Sequence, residues 1–167
     1  MNLHFLNATE NDFDSVFGLY QNTAKWFAEK GINQWSQWLA PDEKQKEWLQ
    51  NGLSKGEFWF AKNESSELVG MFRLMYEDEE YWGKQDIAAG YVHSLITLRA
   101  FSGQNIGEKM LQFVENELIR KEIFTFRLDC VAANERLCNY YLSQGFVALF
   151  DKQMRFTGNR FFEKKLK

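Results

Sequence analysis

The sequence predicts an α/β (α+β) fold, a mixed, mostly antiparallel central sheet flanked by helices. Three observations predict it. Segments with apolar residues at helical spacing alternate with apolar, strand-like segments. Their order reads strand, two helices, three strands, helix, strand, helix, two strands. A helix separates the strands at 89–98 and 124–130, which implies a right-handed parallel crossover, whereas strands joined by short turns pair antiparallel.

Each element has its own signal. Residues 3–7 make a short strand. Thr9 and Asp12 form a capping-box-like start, after which Phe13, Val16, Phe17, Tyr20, Ala24 and Phe27 recur at helical spacing. Gly31 stops that helix. Pro41, the only proline, fits the first turn of a second helix, with Asp42 and Glu43 beside its positive end. Residues 57–62 and 68–76 read as a hairpin around Asn63-Glu64-Ser65-Ser66, and 77–86 as an acidic, polar loop. A strand follows at 89–98. Ile106, Met110, Leu111, Val114 and Leu118 then mark an amphipathic helix. A strand at 124–130 and a helix at 134–143 come next. From Phe146 onward two strands are separated near Thr157-Gly158-Asn159.

Composition narrows the function. The 167 residues make one domain, 1–167, long enough for a full core. Hydrophobic residues reach 45% and aromatics 17%, which excludes disorder and suggests a core or pocket built from rings. Net charge is -3 and the only basic run is the Lys164-Lys165-Leu166-Lys167 tail, so nucleic acid is not an expected partner. No apolar run approaches the ~20 residues of a membrane span, and the first residues lack the basic and apolar regions expected of a signal peptide. Cys130 and Cys138 lack metal-ligand spacing and partners nearby; reduced thiols in a cytoplasmic protein, without a metal, are the expectation.

The most informative stretch runs from Tyr91 to Phe146. An apolar strand ends in Ser102-Gly103-Gln104-Asn105-Ile106-Gly107, which opens a helix. Backbone N–H groups at such a start suit a phosphate. Gly103 and Gly107 would let phosphate oxygens approach the backbone. Asn134 follows, then Tyr141-Leu142-Ser143-Gln144-Gly145-Phe146. A tyrosine hydroxyl can donate a proton.

These motifs, with Tyr91-Val92-His93-Ser94-Leu95-Ile96-Thr97, resemble those of the GNAT family of N-acetyltransferases in order and spacing. The resemblance implies the acyl-CoA N-acyltransferase fold, acetyl-CoA as cosubstrate and a primary amine as acceptor. It implies that backbone groups around Leu95, Ile96 and Thr97 pair with the pantetheine arm as an added strand would. It assigns the pyrophosphate to Ser102–Gly107, a pantetheine contact to Asn134, and protonation of the departing thiolate to Tyr141, which precedes Gly145 by four residues while Tyr140 competes. The loop departs from the family pattern: Ser102 replaces the usual Arg or Gln, and Asn105 the middle glycine. Asn tolerates left-handed angles best after Gly, so Asn105 keeps the loop shape. Gln104 and Lys109 are candidates to replace the missing side chain.

A cationic amine must lose a proton before it attacks. A lysine-like amine has an unperturbed pKa of about 10.4, so about one molecule in two thousand is neutral at pH 7. His93 is the best base in the chain, and equally reads as a polar residue on a strand's exposed face. His4 reads as solvated or paired. Trp35 and Trp38, with Trp26 and Trp48, line an aromatic cavity or belong to the core. Glu77, Asp78, Glu79 and Glu80 attract a cation or form a solvated loop. The expected acceptor is a small-molecule or peptide amine, and a homodimer stays open. The alternative to an N-acetyltransferase is a noncatalytic acyl-CoA-binding or regulatory module on the same fold.

Overall fold

The computed structural model describes residues 2–167. Its seven strands are β1 (His4–Asn7), β2 (Phe58–Lys62), β3 (Leu68–Met75), β4 (Gly90–Thr97), β5 (Thr125–Val131), β6 (Val147–Gln153) and β7 (Gly158–Lys165). They form one sheet in the order β1-β2-β3-β4-β5-β7-β6. Only β4 and β5 pair in parallel, joined by the expected helical crossover. The helices are α1 (Phe13–Glu29), α2 (Glu43–Ser54), α3 (Glu79–Trp82), α4 (Ile106–Arg120) and α5 (Glu135–Ser143). The predicted mixed, mostly antiparallel sheet is therefore the observed one.

Two apolar clusters glue helices to the sheet. Met110, Leu111, Val114 and Leu118 of α4 pack with Phe126, Leu128 and Phe162. Val16, Leu19 and Tyr20 of α1 and Leu49 of α2 pack with Phe58, Met71 and Ile96. Arg73 crosses this second cluster, only 2% exposed. Its guanidinium makes two bonds to Glu57, at 2.9 and 2.6 Å, donates to the Trp48 carbonyl at 3.0 Å, and lies 3.8 Å from the Trp48 ring centroid. A charge so placed clamps α2 to the sheet.

Three local readings change. Pro41 lies ahead of α2 rather than in its first turn; Asp42 is the N-cap and closes a capping box with Gln45. The acidic 77–86 segment contains α3, a single turn whose N-cap is Asp78. The two cysteines do have a neighbour, each other: both are free and buried, with Sγ atoms 3.6 Å apart.

One irregularity positions the site. Across β3 and β4, Arg73 faces His93 while Met71 faces Ile96, so Ser94 and Leu95 stand against Phe72 alone. This is a β-bulge, and Ser94 carries its left-handed turn at φ 57°. β4–β5 pairing ends at Val92 and Leu128, although β4 continues to Thr97 and β5 to Val131. The two strands thus part in the middle of the sheet.

Candidate active site

A cavity of about 330 Å³ opens where β4 and β5 separate. His93, Ser94 and Leu95 from β4, Asp129, Cys130 and Val131 from β5, and Tyr141 from α5 all border it. Past the bulge, β4 pairs with β3 through Ile96 and Thr97 but has no ladder to β5. An unpaired strand edge with a groove beside it can accept an extended amide-bearing chain.

His93 stands between two carboxylates in the cavity. Its Nε2 is 2.8 Å from Asp78 Oδ2, and its Nδ1 is 3.9 Å from Asp129 Oδ1. Asp78 is doubly committed: its Oδ1 caps α3 by accepting from the Tyr81 N–H at 3.4 Å. Capping fixes the carboxylate that orients the imidazole. The rings of Tyr81 and Trp48 meet His93 edge-on, at 4.8 and 6.2 Å between centroids. Burial is the largest influence on His93 and opposes its charge, but the Asp78 hydrogen bond, with the charges of Asp78 and Asp129, outweighs it. The net effect is a pKa above the ordinary 6.5. Tyr20 donates its hydroxyl to Ser94 Oγ, tying α1 to the bulge.

Tyr141 is 5% exposed and faces the same cavity. Burial drives its phenol well above 10, so it carries its proton at neutral pH. Tyr140 points elsewhere: a Cβ on Gly107 would lie 2.8 Å from its hydroxyl. A side chain at Gly107 would thus collide with a tyrosine of α5. The Tyr140 hydroxyl is buried without a partner, and burial first, then Glu108, pushes its pKa up to about 12.

The loop before α4 has the predicted shape. Asn105 is left-handed at φ 56° and Gly103 at φ 80°. Ser102, Gly103, Gln104 and Asn105 are exposed, while Ile106 anchors the helix in the core. The Asn105 side chain makes no capping hydrogen bond to the first-turn N–H groups of α4. An anion suits that arrangement. Asn134 caps α5, accepting from the Leu137 N–H at 3.2 Å, and its amide donates to Gln34 Oε1 at 3.0 Å. Gln34, buried in the segment between α1 and α2, also borders the cavity.

Of the tryptophans, Trp35, Trp38 and Trp48 line the cavity with Tyr20 and Tyr81. Trp26 does not; it stacks under Arg99, 3.5 Å from the ring centroid. Of the acidic run, Asp78 and Glu80 reach the site, while Glu77 is exposed. His4 is exposed on β1.

Comparison with known proteins places the chain in a family. The Acetyltransferase (GNAT) family model matches residues 20–146. The chain is 32% identical to the uncharacterized N-acetyltransferase YesJ of Bacillus subtilis, over 83% of this chain and 78% of YesJ. The chain belongs to the GNAT acetyltransferase family. Its relatives make it an acyltransferase enzyme. The fold of this GNAT member matches a GNAT-family acetyltransferase from Listeria monocytogenes with a TM-score of 0.79, 25% identity, and coverage of 98% and 95% of the two chains. It also matches the fold of the PaiA N-acetyltransferase of Thermoplasma acidophilum, solved in complex with coenzyme A. There the TM-score is 0.74 at 19% identity, with 99% of each chain covered.

Asp129 and Ser94 escaped the sequence reading as site residues. Asp129 had a signal, a lone carboxylate within the apolar strand Thr125–Val131. Ser94 had none, because a bulge depends on the partner strand. Among the described residues no cluster of three or more His, Cys, Asp or Glu is placed to hold a metal, and no helix is long and apolar enough to cross a membrane.

Proposed function

We propose that this enzyme transfers the acetyl group of acetyl-CoA to a primary amine by direct attack. The observation that carries the reading is the meeting of His93 and Tyr141 at one cavity where β4 and β5 part. Acetyl-CoA supplies the activated acyl thioester. The β4 edge at Leu95, Ile96 and Thr97 holds its pantetheine arm, with Asn134 nearby. The loop from Ser102 to Gly107 holds its pyrophosphate, chiefly through the N–H groups that open α4. The CoA-bound PaiA structure shares the fold and supports this choice of cosubstrate.

His93 receives a proton from the cationic amine at Nδ1, since Asp78 engages Nε2. The freed nitrogen forms the C–N bond as the C–S bond breaks, and Tyr141 gives its proton to the leaving sulfur. In becoming an amide the ammonium loses two protons; one is balanced by the new thiol and one goes to solvent. Holding amine and thioester together supplies most of the rate, about 7–11 kcal/mol. The Asp78–His93 pair favours catalysis over a module that only binds.

The cavity walls suggest the acceptor. Trp35, Trp38 and Trp48 suit an apolar or aromatic body, and the carboxylates suit a positive nitrogen. A thiol-release assay against arylalkylamines, polyamines, amino acids, aminoglycosides and peptide amino termini tests this, alongside calorimetry with acetyl-CoA. Binding with turnover of at least one amine is expected. No binding at millimolar cofactor would sink the reading.

A further inference from the structure

We infer that Asp129 is a positioning residue for proton transfer, its free oxygen receiving the Nδ1–H of His93 once that imidazole has taken the amine's proton. The inference rests on the reading of His93 as the base.

The Asp129 side chain is 5% exposed. Its Oδ2 accepts from Asn159 Nδ2 at 2.6 Å, and Asn159 is itself steadied by the Thr157 hydroxyl at 2.7 Å. Among the described residues its buried Oδ1 has no hydrogen-bond partner. A buried acceptor left unmade is costly, and a native protein that keeps one needs a reason. The nearest charged neighbour supplies it: His93 Nδ1 lies 3.9 Å away. That is too long for a hydrogen bond, and a shift of about 1 Å would make one.

Asp78 decides what the gap contains. It takes the Nε2–H, so the neutral ring presents a lone pair at Nδ1. Nδ1 and Oδ1 are then two acceptors facing each other with nothing to share. Proton transfer, R–NH3+ plus imidazole giving R–NH2 plus imidazolium, puts a donor between them. Oδ1 is unsatisfied before the step and satisfied after it. An interaction that forms only as charge develops lowers the barrier instead of tightening the ground state. The imidazolium later returns its proton to water.

Other groups facing His93 do not replace Asp129. Arg73, from β3, opposes the imidazolium charge, and Tyr81 of α3 presents a ring. Glu80 borders the same cavity, and Tyr20 is committed to Ser94. Burial holds the Asp129 carboxyl above the ordinary carboxylate range, with the His93 charge and the Asn159 hydrogen bond opposing it in part.

The chain has two histidines, so a His4→Gln background leaves one imidazole to follow by NMR. In that background Asp129→Asn is expected to lower the His93 titration midpoint by about one unit. The same variant should lower kcat roughly 10- to 100-fold, with amine KM and cofactor Kd within about twofold. The acid limb of the pH–rate profile should move to lower pH. An unchanged midpoint overturns the inference, as does a loss confined to KM or Kd. If Asp129→Asn does not fold, the 13Cγ shift of Asp129 in the otherwise native protein should inflect at the His93 midpoint, and a flat response there overturns it equally. Absence of turnover with every amine, beside a normal midpoint shift, would count against the acetyltransferase reading and leave the Asp129–His93 contact standing.

Discussion

His93 has neighbours on both ring nitrogens, and its environment fixes how the enzyme should respond to pH. With His93 as the proposed base, activity should rise as pH climbs through its pKa, because a base works when unprotonated. Burial opposes the charge, but Asp78 and Asp129 overcome it, so the midpoint lies above the ordinary 6.5. His93→Ala should lower turnover at neutral pH, remove that acid limb and leave cofactor affinity nearly unchanged. A retained profile would move deprotonation to water or another carboxylate. The same shift has a stability side. A raised folded pKa adds stability that is fully present below 6.5 and lost as pH rises through the folded value. Tyr141→Phe should cost about 10²-fold in kcat, because water can substitute for a missing acid. The retained ring keeps the core and the cofactor affinity intact. Full activity in that variant would leave proximity as the whole catalytic account.

Elements decide whether these side chains meet. The cluster of Arg73, Glu57 and Trp48 holds α2, and so one aromatic side of the cavity, against β2 and β3. Arg73→Ala should destabilise the fold by about 3–5 kcal/mol, because it strands Glu57 as a largely buried charge. Chemical denaturation measures this, and a loss under 1 kcal/mol would mean that the site collapses or admits water. At the start of α4, Asn105→Gly should keep or tighten cofactor binding, since φ 56° suits glycine better and the Cβ disappears. Clear weakening by calorimetry would show that the Asn side chain itself holds the loop or the ligand. The long elements were legible in the sequence because α1 and α4 show helical periodicity over many residues and the strands carry apolar runs. α3 was not, since four residues with two glutamates carry too little period to read. The bulge at Ser94 and the Asp78–His93–Asp129 cluster were illegible for a different reason. They exist only when β3, β4, β5 and the turn before α3 come together, and no local spacing encodes that. The motif residues His93, Tyr141 and Asn134 were legible as candidates, whereas their actual partners were not.

At the scale of the molecule, a seven-stranded sheet is interrupted near its centre. From His93 to Thr97 and from Asp129 to Val131, the facing edges of β4 and β5 make no ladder with each other. An extended ligand pairing with the β4 edge would join the two halves of the sheet, β1 to β4 and β5 to β7, by an added set of backbone contacts. Cofactor binding should therefore stabilise the whole domain and not just the loop that opens α4. At a cofactor concentration of 100 times Kd the linkage is about 2.7 kcal/mol. For a chain of this size that is a rise in Tm of roughly 5–10 °C. The size of the rise reports affinity alone; its location reports the geometry. Amide exchange should slow along Leu95, Ile96 and Thr97 as well as at Ile106 and Gly107. Protection confined to the start of α4 would mean that the phosphates dock while the pantetheine arm lies outside the cleft. His93 and Tyr141 would then flank a space the thioester never enters.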